Sequence, residues 1–462
     1  MSGDGPRPSR DALRLQLLGL TLLRQFETRD STPEDDASRK RAARSIRYGA
    51  LVFEPAQEAK GRRESASMHI VLVEFPPSGG LFQFALQLGE GLARGGHRVE
   101  IVSGLRPELK PREPGCKALP VLPTWHPTAG EGASLAWHRI RRVFRGVRHV
   151  AAWFVLLALL RVVKPDVVLW SAWRFPVDGW GVQLVRRILP AATLGIIAHE
   201  PPPVGPSKRG KLPDKDGLWY RALAGAFAVI DVAFVLGEDT RSVLHKLWPI
   251  SAPVYVIPHG DEGIFRHTGV IAVPASDTAP RVLFFGTITS YKGLDDLLSY
   301  WPDIKEQVPS ATLCVSGALS SDVDGKQLAD RVNQLDGVEL RLGYVPVKEV
   351  PTLFMESRLV VLPYRRSNQS GVAHLAYTFG RPVVATRVGD IPDVVRHQET
   401  GLLVEPGDRD GLVAAVSALL QDPAAALRLG AAGHAALGEG ASWDTVAAEV
   451  ETGLSSLERR DK

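Results

Sequence analysis

Lys292 is followed by Gly293 and the helix-like run "LDDLL". An ammonium at a helix N-terminus faces the positive end of the helix dipole, a conflict that a bound anion removes, and phosphate suits such a place best. A surface lysine in a long loop would present the same residues. The strand-like run "RVLFFG" ahead of it ends in Gly286, a second candidate binding residue. A third turn, within "SNQSGVAHLAYTFGRPVVAT", sets Asn368, Gln369, Ser370 and Gly371 between a strand pattern and a helix pattern. Its backbone N–H groups can receive phosphate oxygens without any charged side chain. In "PPSGGLFQF", Gly79 and Gly80 let the backbone approach an anion or a sugar oxygen, or simply make a tight strand-to-helix turn. His199 ends the run "LGIIA", and a histidine at the carboxyl end of a parallel strand can meet a substrate hydroxyl or carry a proton in a cleft. Capping the strand is the structural alternative. Glu200 beside it either orients the histidine or is solvated, and His374 reads as a packing or partner residue inside a helix rather than a catalyst. No cluster has metal-ligand spacing, so no metal is expected.

Turns of this kind need strands and helices to hold them. From His69 the runs "HIVLVEF", "RVEIVSG", "DVVLW", "LGIIAH", "VAFVL" and "VYVIPHG" alternate with helical stretches. The polar stretch 261–280 interrupts the alternation, which restarts with "RVLFFG", "ATLCVSG", "VELRLGYV", "RLVVLPY", "RPVVAT" and "TGLLVEP". The pattern predicts an α/β protein of two doubly wound, Rossmann-like domains facing each other across a cleft, with ligands beyond the strands' carboxyl ends. The expected divisions are a disordered or mis-assigned extension over 1–67, a first domain over 68–260, a linker over 261–280 and a second domain over 281–440. Residues 441–462 read as a C-terminal helix able to cross back to the first domain.

Composition agrees with a folded, multidomain chain of 462 residues, 45% hydrophobic and 23% charged. Two cysteines, Cys116 and Cys314, make no disulfide framework and point to a reducing compartment. No apolar run reaches the ~20 residues that span a bilayer, and the start lacks a signal-peptide pattern. The net charge is a modest +4, but cations cluster: no acidic residue lies between Glu131 and Asp166, where "WHRIRRVFRGVRHVAAWFVLLALLR" falls. At helical spacing His138, Arg141, Arg145 and Arg148 form a stripe beside Trp137, Phe144 and Trp153. The stripe suits anionic lipid headgroups, although a solvated basic face or a nucleic-acid surface has the same residues. The apolar tail Val150 to Leu160 favours lipid over nucleic acid, and a buried core helix would explain it as well.

Taken together, "FPPSGG", "VIPHG", "YKGLDDLL", "GYVPVKEVPTLF", "GRPVVATRVGDIPDVV", "TGLLVEPGD" and a late "SW" resemble the GT-B glycosyltransferases, and within them the retaining family 4 type. The resemblance runs from Met68 to Leu457. It implies a hexosyltransferase that uses a UDP- or GDP-sugar as co-substrate, with no other cofactor and no metal, and extends a lipid-linked or glycan acceptor in cell-surface or exopolysaccharide biosynthesis. It implies His199 as the acceptor-side catalytic residue and a donor site of Gly79, Gly80, Gly286, Lys292, Asn368, Gln369, Ser370 and Gly371. The implied location is cytoplasmic, peripheral at the inner face of an anionic membrane, with no nucleic-acid partner. Two departures stand out. Thr287 replaces an arginine usual in the family, and Asn368 and Ala376 occupy the positions of two usual glutamates. Ribose recognition is therefore open: another residue supplies it, the donor is unusual, or the chain is an inactive scaffold. An epimerase-like GT-B relative is a further alternative.

Overall fold

The computed structural model describes residues 67–124, 135–199, 215, 217–268, 273–366, 370–440 and 442–458, with only the backbone for 135–143, 266–268, 439–440 and 458. Expectations about residues 1–66, Glu200, Asn368, Gln369 and the side chains of His138 and Arg141 lie outside the described residues.

The first sheet is built from β1 (His69–Glu74), β2 (Arg98–Gly104), β3 (Cys116–Leu122), β4 (Val167–Trp170), β5 (Thr193–Ala198), β6 (Val232–Val235) and β7 (Val254–Val256). Its connecting helices are α1 (Gly80–Arg94), α2 (Leu135–Val163), α3 (Pro176–Ile188), α4 (Leu218–Phe227) and α5 (Glu238–Leu247). Every strand pairing is parallel, in the order β3-β2-β1-β4-β5-β6-β7. β4 and the Ile70–Val73 portion of β1 are unbroken apolar runs because helices cover both faces of the sheet. On one face Trp153, Leu156 and Leu160 of α2 pack with Val182 of α3 and Leu223 of α4. On the other, Phe82, Leu86 and Leu88 of α1 pack beside Val446, Val450 and Leu454 near the chain's end.

The second sheet has the order β10-β9-β8-β11-β12-β13, again parallel. Its strands are β8 (Arg281–Phe285), β9 (Thr312–Gly317), β10 (Val338–Leu342), β11 (Leu359–Leu362), β12 (Val383–Thr386) and β13 (Gly401–Val404). The helices are α6 (Leu294–Gln307), α7 (Gly325–Val332), α8 (Val350–Met355), α9 (Gly371–Thr378), α10 (Ile391–Val394), α11 (Arg409–Gln421), α12 (Pro423–Gly440) and α13 (Trp443–Glu458). Strand order reverses between β1 and β4 in the first sheet and between β8 and β11 in the second, which are the places where such sheets bind ligands.

Long-range contacts tie the two sheets together. α13 returns to the first sheet, where Asp444 accepts from Arg94 Nε at 2.7 Å and Ser456 Oγ lies 2.5 Å from the Tyr255 hydroxyl. Asp390, just ahead of α10, accepts from the Asp239 amide at 2.9 Å and from Thr240 Oγ1 at 2.6 Å, so a carboxylate of the second domain caps α5 of the first. Gly237 makes room for it: a Cβ there would lie 2.2 Å from the Asp390 carboxyl carbon.

Two features of α2 differ from the sequence expectation. Phe144–Val163 is long and apolar enough by length and composition to cross a membrane, because its arginines break the run without lowering its average much. Arg148, placed on an outward stripe by helical spacing, is only half exposed and donates to the Pro123 carbonyl at 2.7 Å.

Candidate functional site

The loop after β8 carries Gly286 and Lys292 to the reversal point of the second sheet, and the loop after β11 brings Ser370 and Gly371 to the same place. Gly293 joins the two. Its φ is 69°, a left-handed value, and a Cβ there would fall 1.8 Å from the Pro363 carbonyl oxygen, so only glycine lets the turn close on the end of β11. Lys292 Nζ lies 3.3 Å from where a Gly286 Cβ would stand and 5.5 Å from the centre of the Tyr364 ring. Val372, in the first turn of α9, is 3.6 Å from that same Gly286 position. An ammonium, an open backbone position and the start of α9 therefore meet within a few ångströms. No side chain caps α9, and the Ser370 hydroxyl is buried without a hydrogen-bond partner. Such a helix start favours an anion. On α6 the dipole is already balanced in part by Asp295 and Asp296, the latter bound to Arg365 at 2.8 and 2.7 Å.

Ala376 is fully buried in the core of the second domain, where it acts as a packing residue. His374 is buried as well, its ring stacked on that of His259 with centroids 4.3 Å apart.

The glycine turn after β1 is placed differently from its sequence reading. The Gly79 N–H donates to Glu108 Oε1 at 2.8 Å, and Gln83 Nε2 donates to the same oxygen at 2.8 Å. The other Glu108 oxygen accepts from the Tyr344 hydroxyl of the second domain. An internal carboxylate thus takes the amide that the turn offers to a ligand and bridges both domains. Gly80 remains exposed.

His199 sits at the end of β5, edge-on to Phe84 at 4.5 Å, and its Nε2 is buried without a partner. It lines a cavity of about 140 Å³ with Ser171, Trp173, Arg174, Phe227 and Trp248 at the carboxyl ends of β4 and β5. The indole nitrogens of Trp173 and Trp248 are also buried and unpartnered. Buried polar atoms are rarely left unpaired, so three of them on residues that line one cavity mark it as a candidate site.

Burial pushes the His199 imidazole down to about 3, with His259 adding to the shift. His259 is held near 4 by burial, against a hydrogen bond in which its Nδ1–H donates to the Gly260 carbonyl at 2.8 Å. His374 is driven well below its ordinary value by burial and by His259. All three are neutral at pH 7. A neutral His199 can accept a hydroxyl proton in a hydrogen bond but carries no charge. Glu74, at the end of β1, is buried, and its carboxyl is raised to about 7 by desolvation, against a hydrogen bond from Ser171 and the charge of Arg174. A carboxyl poised near neutral pH at a sheet's reversal point has the character of a functional acid or base. The one charge ending "HIVLVE" is the sequence signal for it. His259 and Trp443 fall within the quoted "VIPHG" and "SW", but their contact through Phe84 has no such signal, because segments far apart in the chain bring them together.

Among the described residues no group of three His, Cys, Asp or Glu side chains could hold a metal ion.

Residues 279–422 match the family model described as Glycosyl transferases group 1, and residues 78–260 match Glycosyltransferase Family 4. A sucrose-phosphate synthase from Thermosynechococcus elongatus superposes with a TM-score of 0.60 at 20% identity, over 85% of this chain and 99% of that one. Anabaena HepE, solved in complex with UDP and glucose, superposes with a TM-score of 0.58 at 13% identity, over 84% and 100%. The fold is GT-B. In sequence, a D-inositol 3-phosphate glycosyltransferase from Mycolicibacterium paratuberculosis is 34% identical over 287 residues, 58% of this GT-B chain and 60% of the relative. A GDP-mannose-dependent alpha-(1-6)-phosphatidylinositol monomannoside mannosyltransferase from Mycobacterium tuberculosis is 30% identical over 178 residues, 37% and 46%. A glycogen synthase from the same species is 29% identical over 167 residues, 36% and 40%. The chain thus covers less than two thirds of the length of each of these sequence relatives.

Proposed function

We propose that this chain moves a sugar from a nucleotide-diphosphate donor to the hydroxyl of a lipid-linked or glycan acceptor, with retention at the transferred carbon, at the cytoplasmic face of a membrane. The observation that carries the reading is the convergence of Lys292, Gly286 and the uncapped start of α9 at the β8/β11 reversal point. The donor's diphosphate sits there, and Lys292 with the α9 amides stabilises the negative charge that grows as the bond to the sugar breaks. The departing diphosphate guides the acceptor hydroxyl to the same face of the sugar, a route that needs no enzyme carboxylate in the turn. The acceptor occupies the cavity at the end of the first sheet, lined by His199, Trp173 and Trp248. Relatives that use GDP-mannose and structural neighbours solved with UDP and sugar support a UDP- or GDP-sugar.

A panel of UDP-, GDP- and ADP-sugars read by thermal shift tests the reading. A true donor at 100 times its dissociation constant stabilises the fold by ~2.7 kcal/mol. No shift with any nucleotide sugar would contradict it.

A further inference from the structure

The face of the first domain formed by α2 and α3 has a composition that the sugar-transfer site does not explain. Phe144, Val147 and Phe154 of α2 point outward, Phe154 with 69% of its surface exposed. Trp180 and Leu184 of α3 do the same, Trp180 at 50%. The two helices lie flush: a Cβ on Gly181 would fall 2.3 Å from the Trp153 ring, and the Phe175 ring at the start of α3 lies 5.1 Å from that of His149. The exposed Phe154 and Trp180 are the immediate chain neighbours of that Trp153–Gly181 contact, so their apolar surfaces belong to one patch.

Charge narrows the occupant. No acidic residue falls between Glu131 and Asp166, and the one carboxylate of α3, Asp178, is buried beneath the patch, 2.8 Å from Trp153 Nε1 and 2.6 Å from His149 Nε2. Arg145, Arg161, Lys164 and Arg187 lie exposed on the same two helices and the turn after α2. One exposed carboxylate, Asp166, follows Lys164 in the turn after α2, and the exposed surface of the two helices themselves carries outward aromatic side chains set among cations, the chemistry of a helix lying in the surface of an anionic bilayer. The stretch Phe144–Val163 is long enough to cross a bilayer and only 22% of it is buried. Its inner face argues against crossing, since Trp153, Leu156 and Leu160 are part of the core under the first sheet and would have to leave it.

We infer that this α2–α3 face docks on an anionic lipid bilayer by inserting Phe144, Val147, Phe154 and Trp180 among the headgroups, with the arginines acting at longer range. Insertion, rather than the arginine stripe read from helical spacing, carries the binding, because Arg148 is engaged with the Pro123 carbonyl. The docked face adjoins the acceptor cavity: Arg174 lines the cavity and is followed directly by exposed Phe175. An acceptor anchored by a lipid tail would then reach His199 without leaving the membrane, a clause that rests on the proposed function, whereas docking itself does not.

Co-flotation of the full chain with vesicles tests this without any donor or acceptor. The expected result is binding to phosphatidylcholine vesicles containing phosphatidylglycerol, weak binding to phosphatidylcholine alone, and a loss of about tenfold or more in Phe144→Ser/Phe154→Ser and in Trp180→Ser with unchanged melting temperatures. Arg145→Glu/Arg161→Glu should weaken binding mainly at low salt. Absent binding to both vesicle types, equal binding to both, or a dimer that the serine variants dissolve would each overturn the inference, the last in favour of a second copy as the occupant.

Discussion

At the carboxyl end of the second sheet a lysine stands beside an uncapped helix start, whereas at the end of the first sheet polar atoms are sunk among aromatic rings. Lys292, Gly286 and the start of α9 form a cationic turn. His199, His259 and Glu74, together with the Trp173 and Trp248 indoles, are buried groups whose ionisable members are driven toward their neutral forms. The first arrangement suits a multiply charged phosphate and the second an uncharged hydroxyl. The difference predicts that changes in the second domain act on donor affinity unless they reach its core, and that changes at the buried seam of His199, His259, His374, Glu74 and Glu262, the last of which accepts from Gln87 Nε2 at 3.2 Å, act on stability and its pH dependence.

The largest effect is expected from Ala376→Glu. The position is fully buried, so an unpaired carboxylate there should cost about 4 kcal/mol or more, read as a collapse of the denaturation midpoint. A stable variant that binds donor more tightly would instead make the position part of the ribose site.

The pH dependence of stability should show the seam from both sides. The histidines have folded values depressed below 6.5, so the unfolded chain binds more protons and stability falls as pH drops from about 6.5 through 4 toward 3. Glu74 and Glu262 are raised, to about 7 and about 8, by burial, so their contribution is complete below 4.5 and is lost as pH rises through those values. Below 4.5 the histidines act alone and above 6.5 the glutamates do, which gives a maximum between the two limits. Each limb should amount to a few kcal/mol, on the order of 1.4 kcal/mol per unit. In urea titrations across pH, His374→Phe should flatten the acid limb and Glu262→Gln the alkaline one. Unchanged slopes in both would show that the seam is wet rather than dry.

A smaller loss, ~0.5–2 kcal/mol, is expected for Asp390→Ala, which removes the cap that the second domain places on α5. Donor affinity should be little changed. A neutral stability effect would mean that water replaces the carboxylate at no cost.

The second-domain turn was legible because its signals are local. Gly286, Lys292, Gly293 and Gly371 lie within short loops whose glycines announce close approach, and alternating apolar runs gave the two parallel sheets. The first-domain site was legible only at His199, the residue that ends its own strand. Its neighbours Phe84, His259 and Trp443 are brought together by the sheet order and by the return of α13, which no window of sequence contains. Glu108 was missed for the same reason: nothing in "LRPELK" shows that its carboxylate reaches across to Gly79 and Tyr344. The inward turn of Arg148 likewise depends on the Pro123 carbonyl, beyond the reach of helical spacing.

The central claim is that Lys292 and the start of α9 hold a donor diphosphate. Calorimetric titration of the parent chain and of Lys292→Ala with the best nucleotide sugar from the panel tests it most directly. Removing a charge-assisted contact worth ~1.5–3 kcal/mol should weaken donor binding roughly ten- to hundredfold while leaving the melting temperature of the free protein unchanged. Equal affinity of the two proteins for that donor would place the phosphate elsewhere and contradict the account.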